Sequence, residues 1–267
     1  MFLAEILKWK REEVRKRSRE RPAASFLGET ARRNTGIRSF SSALQTPGPS
    51  IVAEIKRASP SLGVLAPGLV PEKLAAVYTA NGASALSVLT DERFFRGSLA
   101  DLQAVRAVTN LPILRKDFMI DPYQVLEAKW AGADAVLLIM AALSRAQAAE
   151  LRACARECGL EVLVEVHQAA EIECALALEP EVIGINNRDL ATFRVSLEVT
   201  KELVPMIRAQ AGARTFPVIS ESGIKNRQDV ANLWALGIDG FLIGETLVKR
   251  EDPGKALREL KGEKEEW

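Results

Sequence analysis

The sequence predicts an α/β protein, a (β/α)8 TIM barrel carrying an N-terminal helical extension. Three observations lead there. From Ile51 onward, short apolar strands alternate with segments of helical composition about eight times over. The strands read as near-continuous apolar runs, as in "AVLLIM", which is how parallel strands covered on both faces read. Several helices end in glycine and run straight into the next strand ("WAGADAV", "CGLEV", "LGIDGF"), the expected stop for a βα repeat. Eight such units in roughly 220 residues suit a closed barrel. A doubly wound sheet is the competing architecture. It would favour a glycine-rich dinucleotide turn after an early strand, and no GxGxxG is present.

The chain of 267 residues is read as a single domain, with residues 1–50 as the extension and 51–267 as the barrel. Phe2, Leu3, Ile6, Leu7, Trp9 and Val14 recur at helical spacing, so the first segment is an amphipathic helix packed on the barrel, its charged face expected to be solvated. Irregular sequence follows, until Pro47, Gly48 and Pro49 break the chain ahead of the first strand. The strands are expected as "IVAEIK", "ALSVLT", "PILRKD", "AVLLIM", "EVLVEV", "VIGINN", "FPVISES" and "GFLIG", with helices such as "SRAQAAELRACAREC" and "NRQDVANLWALG" between them.

Composition excludes several function classes. Lys and Arg total 36 against 35 Asp and Glu, which gives no general attraction to nucleic acid or an acidic membrane. No apolar run approaches the roughly 20 residues that span a bilayer. The three cysteines, Cys154, Cys158 and Cys174, read as reduced thiols of a cytoplasmic protein. They lack partners for zinc, because His167 is the single histidine and there is no CxxC.

In a barrel the chemistry sits where the strands end. The first strand ends with Glu54 and Lys56, which share one face, and then Ser59. The third ends with Arg115, Lys116 and Asp117, the fifth with Glu165 and His167, the sixth with Asn186, Asn187 and Arg188, and the seventh with Ser220, Glu221, Ser222 and Gly223. Singly, each is an ordinary solvated or capping residue. Jointly, the fold brings lysines and glutamates together with little water, which splits pKa values and makes acid and base partners. His167 is read as a loop or capping residue. "SESGI" and "IGETL", after strands seven and eight, suit a phosphate site of loop amides, with Gly223 and Gly244 admitting close approach, the amide of Glu245 beside them, and Arg188 and Ser59 as further donors.

The stretches "AEIKRASPSLG", "VLTDERFFRGS", "LRKDFMID", "LVEVH", "IGINNRDL", "ISESGI" and "FLIGETL" resemble indole-3-glycerol-phosphate synthases, in order and over the whole barrel. The resemblance implies ring closure of 1-(2-carboxyphenylamino)-1-deoxyribulose 5-phosphate, with loss of carbon dioxide and water, in tryptophan biosynthesis. It implies no metal and no organic cofactor. It makes Lys116 the general acid, Lys56 the holder of the substrate carboxylate and a candidate second proton donor, and Glu165 the acid/base of dehydration. Glu54 and Asn186 would orient these groups, with Glu54 holding the lysines, and Glu221 and Ser222 would complete the polar wall. Ser59, Arg188, Gly223, Gly244 and Glu245 would form the phosphate site, and Phe95, Phe118 and Leu137 the apolar bed for the anthranilate ring. Glu245 stands where many relatives have Ser or Thr, so it is expected to offer its amide rather than its side chain. The partner so implied is a small phosphorylated molecule; neither nucleic acid nor membrane is expected, and a monomer suffices. Two competing readings are another phosphate-binding barrel enzyme (phosphoribosylanthranilate isomerase-like, or an aldolase using Lys116 as a Schiff-base nucleophile) and a non-catalytic barrel scaffold.

Overall fold

The computed structural model describes residues 2–26 and 38–262. Eight parallel strands close into a barrel: β1 (Ser50–Ile55), β4 (Ala85–Leu89), β5 (Ile113–Lys116), β6 (Ala135–Ile139), β7 (Glu161–Val166), β8 (Val182–Asn186), β9 (Val218–Glu221) and β10 (Gly240–Ile243). The seam is the pairing of β1 with β10, from Ser50 against Gly240 to Ala53 against Ile243. A short antiparallel hairpin, β2 (Ala58–Ser59) and β3 (Gly63–Val64), stands in the loop after β1. Two strands are shorter than their apolar runs because Pro112 and Pro217 lack the N–H a ladder needs, so β5 starts at Ile113 and β9 at Val218.

Strand parity divides the core in two. Val52, Ala85, Leu114, Leu137, Leu163, Val182, Ile219 and Leu242 fill the barrel interior. Their neighbours Ile51, Ala53, Leu86, Ile113, Val136, Val164, Ile183 and Phe241 pack outward against the helices. One step along a strand therefore exchanges the interior for the helical layer. By this rule Glu54, Lys116, Glu165, Asn186 and Glu221 continue the interior rows at the C-terminal rim, whereas Arg115, Asn187 and Ser220 do not.

The extension touches both ends of the barrel. Phe40 and Leu44, in and before the 3-10 turn Ser42–Leu44, are buried in the interior cluster, and Ser39 and Ser41 donate to Glu161 at the foot of β7 over 2.7 and 2.6 Å. Helix α1 (Phe2–Glu20) lies across the opposite rim, with Ile6 and Leu7 in the same cluster. Its charged face is not all solvated, contrary to the pattern. Lys10 is only 1% exposed and bonds Asp91, Asp117 and Glu13 at 2.8–2.9 Å. A lysine is tolerated there because its ammonium meets three carboxylates from three elements. Of the 21–49 stretch expected to be irregular, residues 27–37 lie outside the described part.

Candidate active site

A cavity of about 440 Å³ opens at the C-terminal rim. All fifteen residues to which the family resemblance gives a role line it. At its floor Lys116, the last residue of β5, donates to Glu165 Oε2 at 2.7 Å and to Glu221 Oε2 at 2.9 Å. Lys56 bonds Glu54 at 2.6 Å. Glu54 thus holds one lysine directly and acts on the other only through its field; the direct partners of Lys116 are Glu165 and Glu221. Glycine makes room for both acids: a Cβ at Gly184 would strike the Glu221 carboxylate, and one at Gly244 that of Glu54.

Electrostatics separate the two carboxylates beside Lys116. Burial pushes both up. For Glu165 this is outweighed by Lys116 and, more weakly, His167, and its pKa falls below the usual range. Glu221 shares Lys116 with a neighbour that is already ionised and is pushed up to about 7. Lys116 itself is raised: burial would lower it, but Glu165, Glu221 and Glu54 prevail. The ammonium form is therefore the resting one. A Schiff-base nucleophile needs a free amine and a lowered pKa.

The other strand ends divide as parity requires. Arg115 does not converge on the cavity. It is fully buried among the helices, donating to Thr90, the Gln124 carbonyl, Asp117 and Glu127. Asp117 reaches the cavity lining, but its carboxylate is taken by Lys10, Arg115, Thr90 and the Phe118 amide. Asn187 clamps the top of β9, with Nδ2 donating to Ser220 Oγ and to the carbonyls of Glu221 and Ser222 at 2.9–3.0 Å. That clamp holds Ser222 in a left-handed backbone (φ 66°), a conformation an L residue keeps only when its surroundings fix it.

Arg188 Nη1 donates to Ser61 at 3.3 Å, and Nη2 lies 3.7 Å from the Glu245 carboxylate. Glu245 also holds Lys249 at 2.8 Å. Ser59 Oγ is buried with no hydrogen-bond partner, a donor left over on the same side of the cavity. The Phe95 and Phe118 rings are tilted at 42° to each other with centroids 6.2 Å apart, and Leu137 lines the same cavity.

The sequence reading missed the roof. Phe2, Leu3 and Ile6 of α1 line the cavity, with Leu190, Phe193 and Val195 from the loop after β8. Phe2 packs edge-on against Phe193 at 4.8 Å and Phe94 at 5.6 Å. A signal existed: the apolar stripe of α1 begins at its very first residues, further than docking on a barrel wall needs. The helix also carries Lys10 inside that stripe.

Residues 3–260 match the family model of indole-3-glycerol phosphate synthase. The chain belongs to the indole-3-glycerol phosphate synthase family. Indole-3-glycerol phosphate synthases from Laribacter hongkongensis and Bordetella pertussis are each 46% identical to it over 263 residues, spanning 97% of this chain and 98% of theirs. That of Burkholderia vietnamiensis is 44% identical over the same spans. Among solved structures, a chain of the tryptophan synthase complex of Pyrococcus furiosus superposes with a TM-score of 0.60 at 16% identity, covering 80% of this chain and 98% of that one. The thiamine phosphate pyrophosphorylase of the same organism gives 0.58 at 18% identity, covering 80% and 94%. These two likenesses show the barrel and no more. Among the described residues no group of three or more His, Cys, Asp or Glu side chains is placed to hold a metal ion, and no helix is long and apolar enough to cross a membrane.

Proposed function

We propose that the Lys116–Glu165–Glu221 cluster performs the synthase chemistry by general acid–base catalysis. The activity comes with the family; the proposal concerns which side chains carry it. The observation that supports it is one ammonium shared between two buried carboxylates of split pKa at the floor of the cavity.

The substrate is 1-(2-carboxyphenylamino)-1-deoxyribulose 5-phosphate. Its aromatic ring lies on Phe95, Phe118 and Leu137, under the roof of Phe2, Leu3 and Ile6, and its phosphate lies at Arg188, Ser59, Gly223 and the amides of Gly244 and Glu245. Lys56 holds the carboxylate, which requires it to turn from Glu54. The ring carbon bearing the carboxylate bonds to the C2′ carbonyl carbon. The carbonyl oxygen gains negative charge as this bond forms, and Lys116 supplies its proton. The cation left on the ring, shared with the nitrogen, draws the electrons of the carboxylate bond, and carbon dioxide leaves. The new hydroxyl then departs as water with a proton from an acid of the cluster, while Glu165 takes the C1′ proton. Asn186 orients this edge, and Ser222 and Glu221 close the polar wall. Acid–base work of this kind contributes typically 10²–10⁴ in rate.

The test is Lys116→Ala, followed by indole fluorescence. Turnover should fall by at least about a hundredfold while phosphate still binds. Near-wild-type turnover would remove Lys116 from the chemistry. Borohydride with a carbonyl substrate should leave Lys116 unlabelled, and a covalent adduct would favour the aldolase reading instead.

A further inference from the structure

We infer that His167 is a positioning residue for Glu165, its imidazole seated against the carboxylate oxygen that faces away from Lys116. This rests on the acid/base reading of Glu165 given above. The sequence treats His167 as a loop residue, and it is not part of the cavity lining. Its geometry is more specific. Nε2 lies 3.3 Å from Glu165 Oε1, while Glu165 Oε2 takes the Lys116 ammonium at 2.7 Å. Nδ1 lies 3.8 Å from Glu171 Oε2. Glu171 is itself fixed: it accepts the His167 backbone N–H at 2.6 Å and the Gln168 amide at 3.1 Å.

Both ring nitrogens and Glu165 Oε1 are buried without a hydrogen bond. A buried polar atom left unpaired is costly. Here the unpaired atoms face one another, and a small turn of the ring joins them. An imidazolium has two N–H donors. One serves Glu165 and the other Glu171.

The charged groups facing the ring from the neighbouring elements are acidic: Glu165 and Glu171 on its own stretch, Glu221 from β9 and Asp189 from the loop after β8. Lys116 lies beyond Glu165. Burial disfavours the imidazolium, but Glu171, Glu165 and Glu221 outweigh it and hold the proton above the ordinary histidine range. Glu165 is then gripped from both sides, Lys116 on one oxygen and His167 on the other. It is kept ionised, aimed and ready to accept a proton. As pH rises through the His167 pKa one grip is released.

The single histidine makes the test direct. In the full chain labelled with 15N-histidine, one imidazole gives one set of ring signals. Its pKa should lie above the usual histidine value of about 6.5. In Glu165→Gln protein it should drop by at least about one unit, because the nearest carboxylate is gone. An ordinary pKa, or one indifferent to Glu165→Gln, overturns the inference. This readout needs no turnover, so it stands apart from the catalytic reading, which fails separately if Glu165→Gln retains full activity. His167→Asn and His167→Gln should lower kcat about tenfold, equivalent to ~1.4 kcal/mol, change KM less than about twofold, and displace the alkaline limb of the kcat profile. Wild-type kcat and an unmoved limb in folded variants also overturn it. If both variants fail to fold, the titration of the unaltered chain and of Glu165→Gln decides.

Discussion

Lys116 has one positive charge to divide between two carboxylates, and the consequence falls on Glu221. Its folded pKa, about 7, lies above the unfolded value of about 4.3. For a raised carboxylate the sign is fixed by linkage. The folded state binds a proton more tightly than the unfolded state, so stability is full below the unfolded pKa and is lost as pH rises through the folded one. Glu221→Gln, which cannot ionise, should therefore melt several degrees above the natural protein near pH 8, with the gap closing towards pH 4. The same substitution should cut turnover. A variant less stable at pH 8 than at pH 4, relative to the natural protein, would refute the assignment. At this scale the sequence was informative wherever parity could be read: Glu54 with Lys56, and Lys116, Glu165 and Glu221 at strand ends. Strand-end composition alone could not tell Arg115 from Lys116, or Asn187 from Asn186; the family resemblance made that choice. Adjacent residues look alike in composition, and only the register of the strand decides which one faces inward. Nor could it show which carboxylate would serve which lysine, since that depends on distances across the barrel.

Among the elements, α1 was the least legible. Its hydrophobic spacing gave the helix but not its seat, because an apolar stripe docks equally well on a barrel wall or over its mouth. What fixes the seat is Lys10. Its ammonium joins α1 to Asp91, which caps the short helix Glu92–Phe95, and to Asp117, between Lys116 and Phe118. One buried charge thus ties the roof to both rings of the apolar bed. Burial would lower the Lys10 pKa, but Asp117, Asp91 and Glu13 raise it. Lys10→Met removes one partner and leaves Asp91 and Asp117 buried, a loss of about 3–5 kcal/mol in such pairs. The variant should melt roughly 10 °C lower and show a higher KM as Phe2, Leu3 and Ile6 leave the cavity. A normal KM and melting point would mean that the apolar stripe alone seats the helix.

For the whole molecule, the repeat of strand and glycine-stopped helix was enough to give the barrel, since eight such units have few other ways to cover both faces of every strand. The proposed phosphate site spans the closure of that barrel. Ser59 follows β1, Gly244 and Glu245 follow β10, and these strands are the seam. An anion held there links the first strand to the last. Inorganic phosphate at a hundred times its Kd should add about 2.7 kcal/mol, seen as a rise of roughly 5–10 °C in melting temperature. Arg188→Ala should need far more phosphate for the same rise. Equal responses would exclude Arg188 from the site. The buried seat of Lys10 has a consequence for the order of events on the ribosome. Helix α1 is made before the barrel, at roughly 5–20 residues per second along the chain, yet the two acceptors that seat it, Asp91 and Asp117, follow the second and third barrel strands. Until then the ammonium has only Glu13 of its own helix, and the apolar stripe has no barrel rim to settle on. Helix α1 is therefore made early yet is among the last elements able to find its place, and a nascent chain halted before Asp117 should leave it open to a protease.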